Sequence, residues 1–269
     1  MIPLPSTPTI IEKKENSAVF KVEGLYPGYG VTIGNSLRRV LLSSLEGAAI
    51  TQVKIKGAPH EFSTLPGVME DVVNILINLK QLRLKLHGEE PQKARLQVKG
   101  EKTVTGSDFE LPTQLELINK DNHVATLTSK KAELEIEIQV EKGMGYEPVE
   151  MRKKGKLEIG TIAVDAIFTP IRKVSYKVEN MRVGDRTNYD RLFVEVETDG
   201  SISPEEAMVT ATEIFMKHLS MMEEAFRGEA EIASAAAEAP AKKTAAKKKA
   251  TKKTSTKKNE EKKKRKKTK

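Results

Sequence analysis

The chain has 269 residues, enough for one large domain or two small ones, with a hydrophobic fraction of 38% and a formal charge of +8. It has no cysteine, which excludes disulfides and thiolate metal sites. The charge sits at one end: Glu229 to Lys269 holds sixteen Lys or Arg against five acids, net +11, while Met1 to Gly228 holds 30 bases and 33 acids, net −3, so the basic pI does not make the body a nucleic-acid binder.

Residues 1–9 are proline-rich and read as irregular, and the N-terminal stretch MIPLPSTPTI lacks the basic region and long apolar core of a secretory leader. No apolar run approaches the roughly 18–20 residues of a membrane span. A soluble, cytoplasmic protein without membrane contact is the expectation. Ala18 to Val22 reads as a strand. Gly28, Gly30 and Gly34 then precede a helix, in the stretch GYGVTIGNSLRRVLLSSLE. They do not make a dinucleotide fingerprint, because Ile33 stands where the third glycine belongs, nor a P-loop, because Asn35-Ser36 follows Gly34. Their expected role is to relieve backbone strain at a turn.

Leu37, Val40, Leu41 and Leu45 recur at helical spacing, with Ile33 upstream, and the helix is expected to end near Gly47. Arg38 and Arg39 lie off this stripe, and no acid occurs between Glu23 and Glu46. Two arginines on a helix are ordinarily a solvated face, but a single-sign pair bordered by leucines suits an interface.

Ala49 to Lys56 reads as a strand and His60 to Pro66 as a loop. A second helix follows, with Glu70 and Asp71 expected in its first turn and Val68, Val72, Val73, Leu76 and Leu79 as its core stripe. From Gln81 to Thr169 the pattern turns to period two, most cleanly at Leu134, Ile136, Ile138 and Val140, which alternate with Glu133, Glu135, Glu137, Gln139 and Glu141. That predicts antiparallel strands with one wet face. Gly143 to Lys156 reads as a glycine-rich basic loop, and Ser175 to Val178 and Leu192 to Val196 as short strands with a turn at Gly184.

The last helix opens on a capping box, Ser203 with Pro204 behind it and Glu206 at the third position. Met208, Ala211, Phe215, Leu219, Met222 and Phe226 form its stripe, and Ile214, Met221 and Ala225 widen it beyond what one sheet contact needs. A second partner for this helix is expected. Residues 229–269 have no apolar period and no aromatic residue, and they read as a disordered tail. His60, His87, His123 and His218 are scattered singly, so neither a metal site nor a catalytic constellation is predicted.

Three stretches carry a resemblance. GYGVTIGNSLRRVLLSSLEGAAIT, HEFSTLPGVMEDVVNILINLK and SISPEEAMVTATEIFMKHL resemble, in order and at similar spacing, segments of the bacterial RNA polymerase alpha family, and the likeness covers roughly residues 5 to 228. It implies an α+β fold: a discontinuous dimerisation domain, residues 1–50 plus 170–228, with two long helices on an antiparallel sheet. This is interrupted by an inserted, mainly β domain, residues 51–169, and followed by the lysine-rich tail, 229–269.

The resemblance further implies a homodimer that recruits the beta and then the beta-prime subunit, with omega and sigma joining in the holoenzyme of the bacterial cytoplasm and nucleoid. It implies a dimer interface at Ile33, Leu37, Leu41, Phe215, Leu219, Met222 and Phe226. Beta contacts fall at Gly34, Asn35, Arg38, Arg39, His60, Glu61, Phe62 and Ser63, and beta-prime contacts at Arg182, Asp185, Arg186 and Asp190. No catalytic residue or cofactor is expected in this chain, since magnesium and zinc belong to the large subunits. The family's usual separate carboxy-terminal DNA-binding domain has no counterpart in residues 229–269, where Lys247, Lys248, Lys249, Lys263, Lys264 and Arg265 are candidates for unspecific DNA contact. Without the resemblance, two other classes stay open: a basic-tailed, chromatin-like DNA-binding protein with a non-catalytic body, and a metabolic α+β enzyme.

Overall fold

The structure, a computed structural model, describes residues 3–152 and 160–227. It is a mixed α+β, strand-rich chain. In order come β1 (Thr9–Lys13), β2 (Ser17–Leu25), α1 (Tyr29–Ser43), β3 (Glu46–Ile55), α2 (Val72–Lys80), β4 (Leu84–Leu86), β5 (Gln92–Lys99), β6 (Lys102–Thr105), β7 (Phe109–Glu110) and β8 (Leu115–Leu117). Then follow β9 (His123–Leu127), β10 (Glu133–Met144), β11 (Tyr146–Glu147), β12 (Thr161–Ala163), β13 (Ala166–Ile167), β14 (Ile171–Val183) and β15 (Arg186–Thr198). A third helix, α3, covers residues 204–227. The chain divides into two compact units, one ending at Phe215 and one beginning at Met216, so the division falls inside α3.

The first unit holds two cores on two sheets. One sheet has the antiparallel order β1-β2-β15-β14. Leu192, Val194 and Val196 alternate inward along β15 and meet Ala18 and Phe20 of β2, Leu41 of α1, and Ala207 and Ala211 of α3. α1 can lie this close because Gly34 has no side chain: a Cβ there would come within 2.8 Å of both Leu192 and Tyr176.

The other sheet runs β7-β5-β10-β3-β4-β8, with β12 also paired to β3. Its central strand β10 turns Leu134, Ile136, Ile138 and Val140 into the larger core, where α2 contributes Val72, Ile75 and Leu79. The opposite face of β10 is wet and charged, as the alternation predicts: Glu135 pairs with Lys56 and Arg95, Glu137 with Lys93, and Glu133 with Lys99.

Several boundaries differ from the sequence reading. α1 stops at Ser43, and Gly47 lies in β3, paired with Gly143 of β10. Both glycines are required by Phe168. A Cβ on Gly47 would sit 1.9 Å from the Phe168 carbonyl oxygen, and one on Gly143 would sit 2.7 Å from its ring. Gly47 therefore marks a close backbone approach and not a helix end.

α2 begins only at Val72, so Glu70 and Asp71 precede its first turn; Asp71 is the N-cap, its Oδ1 accepting the Asn74 N–H at 2.8 Å. Val68 lies outside the helix, bridged to Leu127, and Ile75 replaces it in the buried stripe. The two short strands expected around Gly184 are one hairpin of two 13-residue strands. β10 runs on through Gly143 to Met144, into the stretch expected to be loop. The rest of that stretch from 153, like the tail expected to be disordered, lies outside the described residues.

Candidate functional site

The glycine stretch starts α1 through a contact far along the chain. Gly28 takes φ 86° as the N-cap and offers no capping side chain. The cap comes from Asp190 on β15, whose Oδ2 accepts the N–H of Gly28 at 2.9 Å and of Gly30 at 3.0 Å. A carboxylate at a helix N-terminus meets unpaired backbone donors and the positive end of the dipole. Tyr26 packs edge-on against both Tyr29 and Tyr189 beside this contact. Asp190 is buried, so its carboxylate faces this chain and not a partner surface.

Past this anchor, α1 turns Asn35, Arg38 and Arg39 to solvent. Among the described residues neither arginine side chain has a hydrogen-bond or ion-pair partner. Ile33 and Leu37 are half-buried. Leu41 is 0% exposed in the smaller core, and Gly34 is buried on the inward face of the helix. Within this chain both Leu41, expected at the dimer interface, and Gly34, expected at the beta contact, pack inward, because α1 sits on β14 and β15.

The loop His60–Ser63 is a tight turn. The Ser63 N–H donates to the His60 carbonyl at 3.2 Å, and the Ser63 hydroxyl lies 3.2 Å from His60 Nδ1. Phe62 stands at its tip, 79% exposed, and Glu61 is exposed beside it. Further on, Glu70 ties the segment before α2 to β9. One of its carboxylate oxygens accepts the Thr126 N–H at 2.6 Å, and the other pairs with His123 Nε2 at 2.9 Å. Burial disfavours the Glu70 carboxylate, but these two contacts outweigh it and hold its pKa below the usual carboxylate value.

The β14–β15 hairpin closes on a two-residue Gly184-Asp185 turn, with positive φ at Gly184 alone, the pattern of a type II′ turn. Arg182, Asp185 and Arg186 are exposed around it, and Arg182 Nε donates to the Gly184 carbonyl at 2.8 Å. In the second unit, α3 exposes Leu219 at 44%, Met222 at 50% and Phe226 at 64%; Phe215, the last residue of the first unit, is half-buried. Leu219, Met222 and Phe226 of the second unit recur at helical spacing, an exposed apolar surface of the kind that marks an interaction site. Lys247, Lys248, Lys249, Lys263, Lys264 and Arg265 lie outside the described residues. Among the described residues no cluster of His, Asp and Glu could hold a metal ion, and no helix is long and apolar enough to cross a membrane.

Sequence reasoning missed two structural supports of this surface. The capping role of Asp190 had no local signal, because its partners are 160 residues away. The seat of Phe168 over Gly47 and Gly143 was equally silent, since nothing in a pair of isolated glycines names the residue that covers them.

Comparison with known proteins fits this geometry. Residues 53–169 match the family model for the RNA polymerase Rpb3/RpoA insert domain. The chain is 51% identical over 218 residues to the DNA-directed RNA polymerase subunit alpha of Symbiobacterium thermophilum, covering 81% of this chain and 69% of that one. It is 52% identical over 202 residues to the same subunit of Alkaliphilus oremlandii, covering 75% and 63%. Against that of Oceanobacillus iheyensis it is 50% identical over 213 residues, covering 78% and 68%. It thus spans about two thirds of the length of these relatives. With half its residues shared over that length, the chain belongs to the family of bacterial DNA-directed RNA polymerase alpha subunits.

Proposed function

We propose that the chain is a non-catalytic assembly platform of a DNA-directed RNA polymerase. It dimerises through α3 together with the Ile33 and Leu37 edge of α1, and it then recruits the beta and beta-prime subunits. In this reading residues 1–50 and 170–228 form the dimerisation domain and 51–169 an inserted domain. The observation that carries the proposal is the α3 stripe of Leu219, Met222 and Phe226 in the second unit, apolar side chains left exposed, with Phe215 half-buried at the end of the first. Apolar area of this sort is stabilised by covering it, at roughly 25 cal/mol per Å2. A two-fold axis covers it with itself, since the same patch then serves both copies.

The beta surface comprises Asn35, Arg38 and Arg39 of α1 with His60, Glu61, Phe62 and Ser63 of the loop. Two guanidinium groups without an acid of their own favour a carboxylate-bearing partner, and the exposed Phe62 supplies an apolar anchor. The beta-prime surface is the hairpin tip of Arg182, Asp185 and Arg186. Identical chains meet different partners, so each surface is used in one copy. Omega and sigma join later, the magnesium and zinc sites belong to the large subunits, and the complex works in the cytoplasm. The lysine tail contributes salt-sensitive, unspecific DNA contact, because alternating Lys, Ala and Thr offer nothing that reads base edges.

Co-purification of the beta subunit with the full chain tests the recruitment step. Wild type retains beta, and Arg38→Glu with Arg39→Glu loses it while keeping its own mass and melting temperature. Undiminished retention by that variant would remove α1 from the beta surface.

A further inference from the structure

Between the two cores of the first unit lies a polar cleft of about 500 Å3 that none of the proposed subunit contacts uses. Arg83 lines it from the residue just before β4, and Arg172 lines it from β14. Burial holds the Arg83 pKa below its ordinary value, and the positive charge of Arg172 lowers it further. Arg83 Nε is buried and has no hydrogen-bond partner among the described residues. Arg172 is exposed and no acid pairs with it among the described residues. A guanidinium group carries five fixed donors, and leaving one desolvated without an acceptor is costly.

The remaining wall is polar and partly committed. Asn119 is fixed at both ends, its Oδ1 accepting the backbone N–H of Arg83 at 2.7 Å and its Nδ2 donating to the Gln81 carbonyl at 2.9 Å. Thr169 Oγ1 accepts the Ile171 N–H at 3.4 Å, which leaves its own hydroxyl proton free to donate. Asn122 Nδ2 makes only long contacts, 3.4 Å to the Asn78 carbonyl and 3.5 Å to the His123 carbonyl. Asp199 also lines the cleft and offsets one positive charge, but its Oδ1 is occupied by the Ser201 N–H at 2.9 Å and hydroxyl at 2.6 Å. Two arginines against one aspartate leave the cleft cationic.

We propose that this cleft between Arg83 and Arg172 is a binding site for a phosphate group, clamped by the two guanidiniums and met by the Thr169 hydroxyl and the Asn122 amide. Guanidinium forks match phosphate oxygens in pairs. The volume is within the range of small-molecule sites, about 300–1,000 Å3, so the phosphate group can come alone or on a small carrier such as a nucleoside monophosphate. The site is separate from the dimer, beta and beta-prime surfaces, and it does not depend on them.

The test is calorimetric titration of the full chain at low ionic strength with inorganic phosphate and, separately, with adenosine monophosphate. The same titrations are run on Arg83→Gln with Arg172→Gln. The basic tail is present in both proteins, so its unspecific binding cancels in the comparison. Wild type is expected to show a saturable site absent from, or at least about tenfold weaker in, the double variant, the loss of charge-assisted bonds being of that order. Tighter binding of the nucleotide than of phosphate assigns the source as a nucleotide, and equal binding assigns it as free phosphate; both support the site. Identical isotherms for wild type and double variant overturn it. Should Arg83→Gln fail to fold, the exposed Arg172→Gln alone decides, weaker binding supporting the site and unchanged binding overturning it.

Discussion

Asp190 on β15 accepts the backbone N–H of Gly30 at 3.0 Å, joining the first helix to a strand 160 residues later. The same oxygen takes Gly28, so one side chain caps the helix whose far turns present Arg38 and Arg39. A Cβ on Gly30 would sit 3.0 Å from Asp190 itself and 2.8 Å from Val178, which is why the contact needs glycine.

Replacing Asp190 should therefore act on stability before it acts on any partner. Asp190→Ala leaves two backbone donors without an acceptor, and the expected loss is about 1–3 kcal/mol. Asp190→Asn keeps an acceptor oxygen and should lose less. Urea unfolding at one fixed protein concentration measures both, since association adds to apparent stability.

The Phe168 seat makes a second, ordered prediction. In Gly47→Ala the new methyl meets backbone, the Phe168 carbonyl oxygen at 1.9 Å. In Gly143→Ala it meets a ring at 2.7 Å, which can move with its side chain. Overpacking of this kind costs about 1–3 kcal/mol, and Gly47→Ala should lie at or beyond the upper end, below Gly143→Ala in melting temperature.

What could be read in advance was local. The alternation on β10 announced its buried and charged faces, because the side-chain period of a strand is written in consecutive residues. The capping box was equally plain: the Ser203 hydroxyl accepts the Glu206 N–H and the Glu206 carboxylate accepts the Ser203 N–H, both at 3.2 Å. Arg38 and Arg39 stood out in the sequence as a single-sign pair off the apolar stripe, and the structure leaves both exposed. Long-range relations were not legible. Glu70 looked like a first-turn helix residue, yet β9 claims its carboxylate and α2 starts later. Leu41 shares its stripe with the half-buried Leu37 and Val40, and the seating of α1 on Leu192 makes it core.

Glu70 gives a pH dependence with a definite sign. Its folded pKa lies below the ordinary 4.5, so its contribution is present above that value and is lost as pH falls through the folded pKa. Glu70→Gln should flatten the acid limb of the stability profile in that window and leave the neutral region's slope unchanged. Thermal melts of both proteins from neutral pH down to the acid transition provide the comparison.

Arg38→Ala and Arg39→Ala should separate recruitment from folding. Both side chains are exposed and have no partner among the described residues, so each substitution is expected to change stability by no more than about 0.5 kcal/mol. Retention of the beta subunit should fall sharply in the same proteins. A variant that loses both stability and beta would place these arginines in the fold.

The central claim is that α3 carries the self-association surface, and the light-scattering mass of the full chain at micromolar concentration tests it most directly. The account predicts twice the 29.8 kDa chain mass for wild type. For Leu219→Asp with Phe226→Asp it predicts the single-chain mass, with the fold of the first unit intact by circular dichroism. A wild-type mass of one chain, or a double variant that still runs at twice that mass, would contradict it.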